Sequence, residues 1–210
     1  MGADARGRTG PARVVAPPPP GGLATGRARE VAVVVRAQAL ATSPGVRRGA
    51  VLLSRAGEHA LGPIALGLAG AALHPPQRRR WLRATAAVLG AHALSVLLKR
   101  LVRRPRPTDP RILVLVRTPG RFGFPSSHAA STTAAAVAYS RLLGRRSTLA
   151  AIPVMMASRL VVGVHYPSDV VGGAIIGVAA GWWAGGGNPA WRAARRGRSA
   201  VRQPAPRPGG

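Results

Sequence analysis

From His59 to Gly187 the chain carries only two carboxylate side chains, Asp109 and Asp169, and that scarcity limits what the segment can become. A soluble helical domain needs charged and polar residues on its outer faces. Here five apolar stretches follow one another instead, at about His59 to Leu73, Trp81 to Leu101, Ala129 to Leu143, Thr148 to Val164 and Val170 to Ala184. Each is expected to be helical, although several fall short of the ~20 residues that cross a bilayer comfortably. The apolar mass is mostly Ala, Val and Leu among 27 Gly, with only 4% aromatic residues. Small residues of this kind let helices pack closely inside a membrane. The sequence therefore predicts an all-α, integral-membrane helical bundle of about five transmembrane helices.

The formal net charge of +26 comes from 31 basic against 5 acidic residues, and every basic residue except Lys99 is arginine. Such an excess fits either nucleic-acid phosphates or anionic lipid headgroups. The arginines sit mainly in the two ends of the chain and in the short breaks between apolar runs, which favours the membrane surface, so no nucleic-acid partner is expected. With no cysteine, a disulfide framework and thiolate-bound zinc are both excluded. No signal-peptide pattern is present from Met1 to Gly22, and nothing in the sequence indicates an oligomeric state.

Composition divides the chain into four parts. Residues 1–29 form a basic, Pro- and Gly-rich arm of disordered type. Residues 30–56 hold an apolar Val31 to Val35, a turn at Ser43-Pro44-Gly45, and Val46, Ala50 and Leu53 at helical spacing beside Arg47, Arg48 and Arg55, the pattern of an N-terminal interfacial amphipathic helix. Residues 57–187 form the transmembrane domain, and residues 188–210 a second basic tail. The breaks alternate in kind. His74 to Arg80 and Gly144 to Ser147 are short basic turns on one side, whereas the Leu101 to Pro125 loop and the His165-Tyr166-Pro167 junction share the other. All the chemically unusual residues collect on this second face. Tyr166 and Phe124 are placed at its entrance, and Arg100, Arg103, Arg104, Arg111, Arg117 and Arg121 at its mouth or against lipid headgroups. Trp182, Trp183 and Trp191 read as interfacial anchors, and His59, His74 and His92 as packing residues.

Three pieces converge there: Lys99 through Arg106-Pro107, then Pro125-Ser126-Ser127-His128, then Ser158-Arg159 with His165 and Asp169 beyond. A phosphate monoester carries up to two negative charges, and Lys99, Arg106 and Arg159 supply three fixed cations for it. The Ser126–Ser127 turn opens an Ala-rich helix whose free N–H groups and dipole favour an anion, with the Ser126 hydroxyl as a further donor. Pro167 suits the first turn of the last helix, so the Asp169 carboxylate can reach back to the His165 ring. The charges are side chains and the acids too few for a ligand cluster, so no metal and no cofactor is expected.

These pieces resemble the signature of the type 2 phosphatidic acid phosphatase superfamily, K-x6-R-P, P-S-G-H and S-R-x5-H-x3-D, with Ser127 in place of the glycine. The resemblance covers approximately Gly57 to Gly187. It implies a lipid phosphatase in which His165 attacks phosphorus to form a phosphohistidine, Asp169 orients His165, and His128 protonates the leaving oxygen and then activates water. It further implies phosphate binding by Lys99, Arg106, Ser126, Ser127 and Arg159. The compact size and Ser-Ser-His form look most similar to members acting on a polyprenyl-linked phosphoribose, with polyprenyl diphosphates and phosphatidate as alternatives. Vanadate-dependent haloperoxidases, whose cradle is similar, and a non-enzymatic basic lipid-binding protein are the rival classes.

Overall fold

The computed structural model describes residues 22–184, and every regular element among them is helical. The seven α-helices are α1 (Gly22–Leu40), α2 (Pro44–Ala56), α3 (Leu61–Leu73), α4 (Arg78–Val102), α5 (Ser127–Leu143), α6 (Ala151–Val161) and α7 (Pro167–Trp182). The arm as far as residue 21, the tail over 188–210 and Trp191 lie outside the described residues. The five helices from α3 onward match the five apolar runs. Among the described residues, Pro75–Val102 is the one helical segment long and apolar enough to cross a membrane by itself.

The amino-terminal part differs from expectation in two ways. The helix begins at Gly22, eight residues inside the arm expected to be disordered, and the 30–56 segment is two helices broken at Ala41–Ser43. Packing accounts for the early start. Val31 and Val34 are buried with Ile112 and Tyr166, and the Glu30 carboxylate accepts from the Ser168 backbone N–H at 3.1 Å. Helix formation is supported here by tertiary contacts that local propensity does not reveal.

Helix α5 is the central pillar. From Ser127 to Tyr139 all but His128 and Val137 are buried, because α3, α4, α6 and α7 pack around it. Small residues set the spacing. A Cβ at Gly173, Gly177 or Gly181 of α7 would lie 2.3–2.6 Å from the carbonyl oxygens of Ser126, the residue before α5, and of Ala130 and Ala134 within it. These glycines recur every fourth residue, one face of a helix, so α7 lies flat against α5. On the other flank, Gly67 and Gly70 of α3 leave room for Thr85, Tyr139 and Trp81. Leu66, Leu89, Leu97, Val154, Ile175 and Val178 point outward, giving the bundle the apolar exterior that its missing surface charges imply.

Candidate active site

Four helix ends meet on one face: the last turns of α4 and α6 and the first turns of α5 and α7. The loop between α4 and α5 folds over them. It pairs with itself through the Pro105 and Phe122 bridge, with Arg106 N–H donating to the Arg121 carbonyl at 3.2 Å and Gly123 N–H to the Arg104 carbonyl at 2.8 Å. Ser126 N–H donates to the Asp169 carbonyl at 2.8 Å, which ties the start of α5 to the start of α7.

His165 lies in the α6–α7 junction and is 2% exposed. Its Nδ1 is 3.4 Å from Asp169 Oδ2, and its Nε2 is 3.3 Å from an Arg106 guanidinium nitrogen. A guanidinium can only donate and a carboxylate can only accept. The proton therefore resides on Nδ1, and Nε2 carries the lone pair. Burial, and then the positive charges of Arg106, Arg159 and Lys99, hold the His165 pKa well below its ordinary value. The same burial lowers that of Arg106.

The Asp169 carboxylate is fixed at both oxygens. Oδ2 also accepts from Tyr166 N–H at 2.9 Å, and Oδ1 accepts from Arg104 at 2.8 Å. Gly123 is required beside it, because a Cβ there would stand 2.7 Å from Oδ2.

The cations come from separate elements. Lys99 Nζ donates to the Gly123 and Pro125 carbonyls at 2.7 and 2.6 Å, which leaves one of its three ammonium protons. Arg106 donates to the Gly120 and Val164 carbonyls at 2.8 and 2.9 Å. Arg159, only 1% exposed, donates to the Ser54 hydroxyl at 2.6 Å, and its buried Nε has no hydrogen-bond partner among the described residues. The Ser127 hydroxyl is likewise buried without a partner. Ser126 caps α5, its hydroxyl accepting from Ala129 N–H at 3.4 Å. His128 Nε2 is 2.9 Å from the Ser54 carbonyl.

All eight residues singled out in the sequence thus lie at this face. His165, Asp169 and Arg106 touch directly, Arg159 and His128 meet through Ser54, and Lys99 grips the loop just before Ser126. Sequence reasoning missed Ser54, Glu30 and the part played by Arg104. Arg104 pairs with both Glu30 and Asp169, and it stacks 4.7 Å above the Tyr166 ring. Ser168 Oγ joins the network by donating to Glu30 at 2.5 Å. Glu30 is one of five acids in the chain, and that rarity is the signal that could have found it. A pocket of about 240 Å³ between α1, α2 and α6 lies elsewhere, and none of the eight residues lines it.

A neutral imidazole with one unprotonated nitrogen, facing cations that an anion could share, suits transfer of a phosphoryl group. Residues 80–187 match the PAP2 superfamily, and the chain belongs to it. It is a phosphoric monoester hydrolase of the membrane lipid phosphatase class. Over 145 residues, 69% of this chain and 81% of the relative, it is 52% identical to the decaprenylphosphoryl-5-phosphoribose phosphatase of Mycolicibacterium smegmatis. The protein of that name from Mycobacterium tuberculosis H37Rv is 49% identical over 153 residues, covering 72% of this chain and 86% of the relative. The fold resembles the crystal structure of a transmembrane PAP2-type phosphatidylglycerolphosphate phosphatase from Bacillus subtilis, with a TM-score of 0.63 at 19% identity, over 87% of this chain and 90% of that one.

Proposed function

We propose that the chain crosses the plasma membrane several times and hydrolyses a polyprenyl-linked sugar phosphate, decaprenylphosphoryl-5-phosphoribose, with a histidine nucleophile. The observation that carries this reading is His165 held between Asp169 and Arg106 with its Nε2 unprotonated. The extent of the match to two relatives bearing that substrate in their names supports the choice of lipid.

In this reading the phosphoryl group enters on the Nε2 side of His165. Arg106, the unpartnered Nε of Arg159, the third proton of Lys99 and the Ser127 hydroxyl take its oxygens, together with N–H groups at the start of α5. Nε2 attacks phosphorus as the bond to the sugar oxygen breaks, and His128 gives that oxygen its proton. Asp169 stabilises the positive ring that forms on His165, without itself becoming protonated. The now neutral His128 takes a proton from water, whose oxygen attacks the phosphohistidine, releasing inorganic phosphate and restoring both histidines. Negative charge is met by side-chain cations throughout, so the chemistry needs no metal. Residues 57–187 form the catalytic domain, residues 30–56 rest at the interface, and the basic residues outside the site face lipid headgroups.

The test is phosphate release by the full-length protein in detergent from decaprenylphosphoryl-5-phosphoribose, a polyprenyl diphosphate and phosphatidate. The sugar phosphate is expected to give the highest kcat/KM. A tenfold preference for phosphatidate, roughly 1.4 kcal/mol of transition-state binding, would overturn the assignment.

A further inference from the structure

Helix α2 sits at the edge of the bundle, yet its last turn reaches into the site. We propose that Ser54 is a positioning residue for both halves of the reaction, its backbone carbonyl setting the tautomer of His128 and its hydroxyl aiming Arg159. The inference rests on the roles given to His128 and Arg159 under the proposed function.

The last four carbonyls of an α-helix have no partner within the helix. Ser54 is among them, because α2 ends at Ala56 and the Gly57 N–H turns back to the Leu53 and Arg55 carbonyls instead. Its oxygen takes the His128 Nε2–H at 2.9 Å. A carbonyl can only accept, so Nε2 carries a proton in either charge state. Nδ1 is then the nitrogen that exchanges protons, loaded when His128 meets the leaving oxygen and bare when it meets water. The negative end of the α2 dipole lies at this same point and favours the arrangement.

The hydroxyl acts on the other partner. It accepts from the Arg159 guanidinium at 2.6 Å, the one side-chain bond to that buried group among the described residues. With one terminal nitrogen tied to Ser54, the guanidinium plane is fixed and its Nε left for a phosphoryl oxygen.

Gly57, one residue past α2, completes the wall. A Cβ there would stand 2.7 Å from His128 Cδ2, with the Leu53 carbonyl and Met155 Cε at 3.3 Å, so only glycine leaves the ring where it is.

The two residues separate in experiment. Ser54→Ala keeps the carbonyl and removes the hydroxyl, so phosphate binding should suffer first. Orthovanadate, a phosphate mimic, is expected to bind about tenfold more weakly by calorimetry, with KM rising in step, as loss of a hydrogen bond to a charged group implies. Ser54→Thr, which restores a hydroxyl, should recover most of that loss. Gly57→Ala displaces His128, so kcat should fall about tenfold or more while orthovanadate binding stays within twofold. Orthovanadate binding to Ser54→Ala within twofold of wild type would overturn the role of the hydroxyl. A kcat of Gly57→Ala within twofold of wild type would overturn the wall. A wild-type protein that releases phosphate from no lipid removes the functional reading itself, whereas the calorimetric titration still tests Ser54 without turnover.

Discussion

Replacing Gly177 by alanine perturbs the seam between α5 and α7 with the smallest available side chain. The new methyl would lie 2.4 Å from the Ala130 carbonyl oxygen, 2.6 Å from Thr133 Cβ and 2.9 Å from the Ala134 nitrogen. Two of these are backbone atoms, so no flexible side chain can swing aside. Relaxing the shortest contact to 3.4 Å, where ordinary van der Waals contact begins, requires α7 to retreat by about 1 Å. Overpacking of this kind costs roughly 1–3 kcal/mol. At roughly 2–4 °C per kcal/mol for a chain of this size, 2 kcal/mol lowers Tm by about 4–8 °C. The kinetic effect is larger, because α7 carries Asp169 and α5 carries Ser126 to His128. A shift of about 1 Å between catalytic groups costs on the order of 100-fold in rate. Thermal unfolding and phosphate release in the same detergent measure both. Gly90→Ala is the control, since nothing lies within 4 Å of its added methyl. It should stabilise α4 by up to ~1 kcal/mol and leave kcat unchanged. Equal Tm and kcat for Gly177→Ala and Gly90→Ala would refute the claim that α5–α7 spacing sets the site.

Further outcomes follow from the site. His165→Ala, His128→Ala and Lys99→Ala should each lose at least ~100-fold in phosphate release, and the wild type should be insensitive to a chelator. Arg104→Ala should lower kcat about tenfold, because Asp169 and Glu30 lose their shared cation. The Glu30→Gln/Arg104→Ala pair should then fall short of the sum of the single losses, as expected for one connected network. The pKa of His165 is lowered on folding, so as pH falls the unfolded chain takes up its proton first. The stability contribution is fully present above the ordinary histidine value of 6.5 and declines below it. Denaturant unfolding between pH 7 and 5 should show this slope, and His165→Gln should flatten it. For the same reason protonation of His165 is pushed to lower pH, and loss of kcat/KM on acidification should set in below the ordinary histidine value of 6.5.

Much of this was legible in the sequence. The helices α3 to α7 announce themselves because Pro75-Pro76, Gly144 and Pro167 punctuate apolar runs, and chain chemistry fixes those breaks locally. The three signature pieces were legible as a family resemblance, and the eight residues they name lie together at one face, in or beside helix ends. What escaped is long-range. Ser54 meets Arg159 across 105 residues, and Glu30 meets Ser168 across 138. Neither contact leaves a periodic trace, and a serine in an amphipathic turn looks like any other. The Ser43-Pro44-Gly45 turn marked the break inside 30–56, but the buried face of α2 escaped: Val46, Ala50 and Leu53 suggest one apolar stripe, whereas it is Ala50 and Ser54 that face the protein and Val46 and Leu53 that face outward.

Enclosure of α5 has a physiological consequence. The helix bearing His128 touches protein on nearly every side, so acyl-chain length and lipid packing act on the outer leucines of α3 and α4 and not on the pillar. Changes in the host membrane should therefore alter how quickly lipid reaches the catalytic groups while leaving their mutual distances untouched.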